Sequence, residues 1–112
     1  MLNVALLAVA FGCGGNPDDK SDAELRLNAQ QSNGRAIYRQ YCAACHPAYS
    51  SRGDKGPGLQ KLFRKTYLPS GLPANDRFVS QSIRSGRGMM PSFGDALSDS
   101  QLADLLAYLH TL

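Results

Sequence analysis

Two cysteines and a histidine form the most chemically distinctive cluster of the 112-residue sequence, Cys42-Ala43-Ala44-Cys45-His46. Spacings of three and four residues place the three functional side chains on one face of a helical turn. Two thiols so placed can form thioether bonds to the vinyl groups of a haem, and the adjacent imidazole then binds the iron. We therefore predict that Cys42 and Cys45 attach one haem c and that His46 is its proximal iron ligand.

Three other uses of this cluster stay open at this point. A thioredoxin-like C-x-x-C pair begins a helix after a strand, whereas this pair is predicted to end a helix. A structural zinc site needs four ligands, and the further candidates are His110 and Cys13. A Cys42–Cys45 disulfide would leave His46 without a role. For His110 we expect an interaction with a helix end rather than metal binding.

A methionine pair downstream offers a ligand for the other side of the iron. Pro91 disfavours helical geometry at Met90, and Gly86 and Gly88 permit sharp turns, so an extended loop can direct a thioether inward. We predict Met90 as the distal ligand, with Met89 as the alternative. The opposing interpretation is that both methionines only fill the core.

The elements that must position these residues are helices, and strand patterns are nearly absent. Apolar residues recur at helical spacing in three segments, so we predict an all-α fold with three main helices. The predicted N-caps are Ser32 or Asn33 for the first helix, Asn75 or Asp76 for the second, and Ser98 with Gln101 for the third. About thirty irregular residues rich in Gly, Pro and Ser separate the first two helices. So long an irregular stretch suggests that a large cofactor organises it.

The N-terminal third of the chain divides into two further segments. Residues 1–12 contain a short apolar run and are predicted to be a signal peptide. Cleavage could follow Ala10, but Gly12-Cys13 resembles a lipobox, so we favour a lipoprotein with acylated Cys13. Residues 13–31 carry two basic and four acidic residues and are predicted to be a flexible polar tether. Residues 32–112 carry ten basic and five acidic residues and form the predicted folded domain.

Composition excludes several classes of protein. The net charge of +3 is small and no basic block with interleaved aromatic residues occurs, so we expect no nucleic-acid partner. The apolar run near the N-terminus is too short to span a bilayer. Three cysteines are an odd number, which argues against a pure disulfide framework. About eighty folded residues bury little apolar surface, so we expect the haem-free chain to be largely unfolded.

Residues 32–112 resemble the class I c-type cytochromes, the small monohaem electron carriers of the bacterial periplasm. The resemblance implies the small cytochrome c fold, three helices and long loops wrapped around one covalent haem. It implies that Gly34 and Tyr38 of the first helix pack against Leu105 and Tyr108 of the last. It also implies one-electron transfer between redox proteins rather than enzymatic catalysis, with no small-molecule substrate.

Two loops carry the rest of the resemblance. Gly56-Pro57-Gly58-Leu59 is similar to the family loop in which the proline carbonyl accepts a hydrogen bond from the proximal histidine. The resemblance thus makes Pro57 the partner of His46, with Leu59 beside the haem. Phe93, in the loop that resembles the family's Met-Pro loop, is a further predicted haem contact. Tyr67 is predicted to hydrogen-bond a haem propionate or the Met90 sulfur, or else to pack.

Six basic residues lie in loops near the segments predicted to surround the haem. These are Lys55, Lys61, Arg64, Lys65, Arg84 and Arg87. If they cluster around the haem edge they would steer acidic redox partners, and otherwise they are solvated side chains. The predicted function is therefore an exported, periplasmic electron shuttle, tethered to a membrane through Cys13. The alternatives are a fixed cytochrome subunit of a larger respiratory or sulfur-oxidising complex, or a catalytic or gas-binding haem protein with an open distal site.

Overall fold

The computed structural model describes residues 15–112, which form three α-helices joined by long loops. The helices are α1 (Ala29–Tyr41), α2 (Asp76–Ser85) and α3 (Asp99–Leu109), and short 3₁₀ turns cover Pro17–Asp19 and Leu62–Arg64. No β-strand forms within residues 15–112. None of the described helices is long and apolar enough to cross a membrane. The predicted all-α class is confirmed, while the predicted signal peptide and Cys13 lie outside the described residues.

Side-chain caps set where the helices begin. Asn75 caps α2 and a Ser98–Gln101 capping box begins α3, as predicted. The predicted cap of α1 is wrong, because Asn28 and Gln31 form a capping box there with reciprocal bonds of 2.8 and 2.9 Å. Ser32 and Asn33 therefore lie inside the helix, which begins before the predicted domain boundary at residue 32.

The contact between α1 and α3 forms the centre of the fold. Gly34 lets the helices approach closely, since a Cβ there would overlap the backbone carbonyl oxygen of Asp104 and lie 2.8 Å from the Cβ of Tyr108. One turn later, the rings of Tyr38 and Tyr108 pack with centroids 5.4 Å apart. The implied pairing of Gly34 and Tyr38 with Tyr108 is thus confirmed, and the close neighbour at Gly34 is the Asp104 backbone. This crossing holds the end of α1 against the core.

A buried arginine attaches the N-terminal segment to α1. Arg35 is 2% exposed, and its guanidinium donates to the Lys20 carbonyl at 2.8 Å and to the Asp22 carboxylate at 2.7 Å. Weaker bonds reach the carbonyls of Pro17 and Asp18. This pairing lowers the pKa of Asp22. Residues 17–22 lie in the segment predicted to be a flexible tether, yet they make contacts with the folded helix that a free linker lacks.

Candidate functional site

The Cys42–His46 segment continues α1 as a single hydrogen-bonded turn. Cys42 caps the C-terminal end of the helix, and its N–H donates to the Tyr38 carbonyl at 2.8 Å. The Cys42 carbonyl in turn accepts the N–H groups of Cys45 at 3.1 Å and His46 at 2.9 Å. The turn therefore presents both thiols and the imidazole from one rigid helix end, as their spacing predicts.

The His46 imidazole is fixed through one ring nitrogen. Its Nδ1 lies 2.8 Å from the carbonyl oxygen of Pro57, and a carbonyl can only accept, so Nδ1 carries the proton. In the neutral imidazole Nε2 is then the unprotonated nitrogen, which is the atom that can bind a metal. Gly56 lies against the same ring, where a Cβ would come within 2.5 Å of Cε1. The Gly56 N–H donates to the Cys45 carbonyl at 2.8 Å, which closes the loop over the histidine.

Cys42 and Cys45 form no disulfide with each other and are half-buried. Burial, with a smaller contribution from neighbouring Cys45, raises the pKa of Cys42 to about 11. A raised pKa is the opposite of what an exchange-active thiol or a zinc thiolate needs. Across residues 15–112, no group of three or more His, Cys, Asp or Glu side chains is arranged to hold a metal ion. An uncharged thioether, by contrast, suits this environment.

A largely apolar cavity of about 400 Å³ opens beside the turn. Cys42, Cys45 and His46 all line it, and so do Pro57 and Met90. The aliphatic and aromatic lining includes Leu59, Leu62, Leu68, Val79, Ile83 and Phe93. The structure thus brings Pro57, Leu59 and Phe93 to the predicted cofactor site. Sequence reasoning missed the contribution of α2, although Val79 and Ile83 share the apolar face that identified this helix.

A tight turn after α2 separates the two methionines. Arg87 and Met90 exchange backbone hydrogen bonds of 3.0 and 2.9 Å, which leaves Gly88 and Met89 at the tip of the turn. Gly88 has φ +55° and Gly86 has φ +70°, values that favour glycine, so both glycines lie where the chain turns sharply. Both methionines belong to the cavity lining, but Met89 is 92% exposed, whereas Met90 is half-buried and packs against the core.

Three basic side chains stand at the cavity. Lys55, Lys65 and Arg87 are exposed residues that also belong to its lining, and no Asp or Glu among the described residues does. We call these three residues the basic rim. Arg84 instead pairs with Asp99 at 2.5 Å, and Lys61 and Arg64 lie outside the lining. Half of the six predicted basic residues are therefore placed at the site.

Two further predicted residues lie elsewhere. Tyr67 is 61% exposed and absent from the cavity lining, because an antiparallel bridge with Pro73 holds its segment at the surface. The predicted hydrogen bond of Tyr67 to a haem propionate or to the Met90 sulfur stays a prediction. His110 caps the C-terminal end of α3, stacks on Phe63 with centroids 3.7 Å apart, and places Nε2 2.6 Å from an Asp76 carboxylate oxygen. Its predicted place at a helix end is confirmed.

Comparison with known proteins identifies the family of this chain. A family model described as cytochrome c oxidase, cbb3-type, subunit III, matches residues 29–109. The chain belongs to the cytochrome c family. Cytochrome c-551 of Bacillus subtilis (strain 168) is 28% identical to this cytochrome, and the alignment covers 97% of this chain and 89% of the relative. Cytochrome c6 of Picosynechococcus sp. (strain ATCC 27264 / PCC 7002 / PR-6) is 31% identical over 72% of each chain.

A third relative is a component of an oxidase. The cbb3-type cytochrome c oxidase subunit FixP of Azorhizobium caulinodans is 35% identical over 70% of this cytochrome, which spans only 26% of that subunit. The protein is a small monohaem class I c-type cytochrome, an electron carrier rather than an enzyme, with one covalent haem c.

Proposed function

We propose that this cytochrome is an exported one-electron shuttle in which Cys42 and Cys45 hold the haem while His46 and Met90 bind its iron. One observation carries this assignment. The His46 imidazole is tied through Nδ1 to Pro57, so its free Nε2 belongs to a cavity that both cysteines and Met90 also line. These residue types are the donors that a covalent His/Met haem needs.

The protein residues tune and protect the iron site. The Pro57 carbonyl orients the imidazole and increases its basicity. A methionine thioether favours the ferrous state, and so does burial in an apolar cavity, because the ferric form carries a net charge. When bound, the haem supplies the one-electron exchange. With His46 and Met90 both binding the iron, no position would remain for oxygen or peroxide, which favours electron transfer over a catalytic or gas-binding function.

Exposure of the methionines supports Met90 as the distal ligand, and the neighbouring residue provides a matched control. Met90→Ala should abolish the far-red sulfur-to-iron band of the ferric protein and let the ferrous protein bind carbon monoxide. Met89→Ala removes the same side chain one residue earlier, where it is 92% exposed, and should leave both properties unchanged. Loss of the band in Met89→Ala but not in Met90→Ala would reverse the assignment. A wild-type protein without the band would support the open distal site.

The extent of the matches supports a shuttle over a fixed subunit. Cytochrome c-551 is covered over 89% of its length, so this cytochrome corresponds to nearly all of that relative. The match to an oxidase subunit III model and to part of FixP favours the fixed subunit as the second candidate. Mild detergent extraction of native membranes separates the two. A shuttle should elute as an isolated cytochrome, whereas a fixed subunit should co-elute with oxidase activity.

We further propose that Cys13 is acylated after export and anchors the protein at a membrane. Arg35 bonds to the segment from Pro17 to Asp22, so only three residues of the sequence separate Cys13 from the part of the chain held against α1. Three residues extend at most about 10 Å. The cytochrome would therefore stay close to the bilayer. Intact mass and membrane fractionation test this, since Cys13→Ser should remove the lipid mass and release the protein.

A further inference from the structure

Tyr38 makes hydrogen bonds to residues 42–46, the haem-attachment turn, through both its backbone carbonyl and its side-chain hydroxyl. It lies in α1 one turn before the turn begins, and its backbone carbonyl accepts the N–H groups of Cys42 at 2.8 Å and Ala43 at 2.9 Å. Its side chain reaches further, because the Tyr38 hydroxyl donates to the backbone carbonyl of His46 at 2.6 Å. One residue is thus bonded to both ends of the turn.

The Tyr38 hydroxyl is fixed in place by its surroundings. The residue is 5% exposed, and its ring packs against Tyr108 at the crossing of α1 and α3. The His46 carbonyl has no proton to give, so Tyr38 must be the donor of this bond.

We propose that Tyr38 is a positioning residue for the proximal histidine. Pro57 holds the His46 imidazole, but Pro57 is itself exposed and follows a loop whose residues 51–55 are all exposed. Tyr38 connects the His46 backbone to α1, the helix that Gly34 seats against α3. The side chain and the backbone of His46 are therefore held by two different elements. This inference rests on the proposed ligation of the iron by His46.

The Tyr38→Phe variant tests the proposal because it removes only the hydroxyl. Tyr49→Phe is the matched control, since the Tyr49 hydroxyl pairs with the Tyr108 hydroxyl at 3.2 Å in the same aromatic cluster and makes no bond to the turn. Both holoproteins are measured by NMR. The ferric haem-methyl shifts report the orientation of the axial imidazole, and hydrogen exchange of the His46 Nδ1–H reports opening of the bond to Pro57.

In Tyr38→Phe we expect an altered haem-methyl pattern and about two- to tenfold faster Nδ1–H exchange, the factor that corresponds to one net hydrogen bond. Tyr49→Phe should resemble the wild type in both measurements. Equal exchange rates and equal shift patterns in the two variants would overturn the proposal. If Tyr38→Phe does not mature, incorporation of 3-fluorotyrosine at position 38 replaces it. This variant keeps the ring and strengthens the donor, so exchange should be no faster than in the wild type, and faster exchange would refute the role.

The wild-type spectrum keeps this test separate from the proposed function. Absence of covalent haem, or of a histidine-bound iron, in the wild-type protein would contradict the proposed ligation itself. A wild-type protein with the expected spectrum and a Tyr38→Phe variant that behaves as Tyr49→Phe would contradict only the role of Tyr38.

Discussion

Replacement of Gly56 by alanine tests whether the loop after the cysteines fixes the proximal histidine. The added Cβ would lie 2.5 Å from Cε1, 2.8 Å from Nδ1 and 2.9 Å from Nε2 of His46. Ordinary van der Waals contact begins at 3.4 Å, so ring and loop must separate by about 0.9 Å. A shift of that size along the Nδ1–Pro57 bond would lengthen it from 2.8 Å to about 3.7 Å, which is beyond hydrogen-bonding range.

The energetic cost of Gly56→Ala has two parts. Overpacking of a well-filled site costs about 1–3 kcal/mol, and a lost hydrogen bond adds about 0.5–1.5 kcal/mol. We therefore expect the free energy of unfolding of the holoprotein to fall by about 2–4 kcal/mol in guanidinium titrations followed by the Soret band. The far-red band should also shift, because the axial imidazole turns. Ser51→Ala, an exposed position in the same loop, is the control. Wild-type stability and spectrum in Gly56→Ala would show that the loop yields and that His46 is not held there.

Three other perturbations have defined outcomes. Haem-free protein should show little helix by far-UV circular dichroism, because the cavity walls lose their main contact, and a native helix signal would contradict this. Asp22 has a lowered pKa because Arg35 donates to it, so its contribution to stability is present above the unfolded pKa near 3.8 and is lost as pH falls further. Asp22→Asn should therefore be less stable than the wild type at pH 6, with the difference shrinking below pH 4 in urea titrations, and a difference independent of pH would contradict the pairing. The rate of electron transfer to an acidic redox partner should fall as the salt concentration rises. Replacing the three residues of the basic rim by glutamine should weaken this salt dependence. Arg64→Gln, which lies outside the cavity lining, should leave the salt dependence unchanged.

Local patterns allowed much of the site to be predicted from sequence. The cysteine–histidine turn and the caps at Asn75 and Ser98 depend on residues three or four positions apart, and these distances are set by helix geometry alone. The cap of α1 had the same kind of signal in Asn28 and Gln31, which the sequence interpretation overlooked. The error moved a helix start and left the chemistry unaffected.

Features set by tertiary contacts could not be obtained in this way. Arg35 buries its charge against residues thirteen or more positions earlier, and no local pattern predicts that partner. Tyr67 lies at the surface because it forms a backbone bridge with Pro73, and the sequence did not predict this pairing. The choice between Met89 and Met90 depends on which residue occupies the tip of a turn. The sequence predicted that Gly88 permits a sharp turn, but it did not show that the turn would place Met89 at its exposed tip.

His46 and Met90, the two proposed iron ligands, are held by different numbers of contacts with the rest of the protein. This difference predicts which ligand is lost first as the protein unfolds. His46 is held by Tyr38 and Pro57, and Tyr38 lies on a helix packed tightly against α3. The loop that carries Met90 follows α2, whose polar side-chain contacts with Asp99 and His110 at the two ends of α3 are exposed and therefore add little stability. We expect the far-red methionine band to disappear at a lower guanidinium concentration than the Soret signal of histidine-bound haem. Coincident loss of the two signals would show that the halves of the site open as one unit.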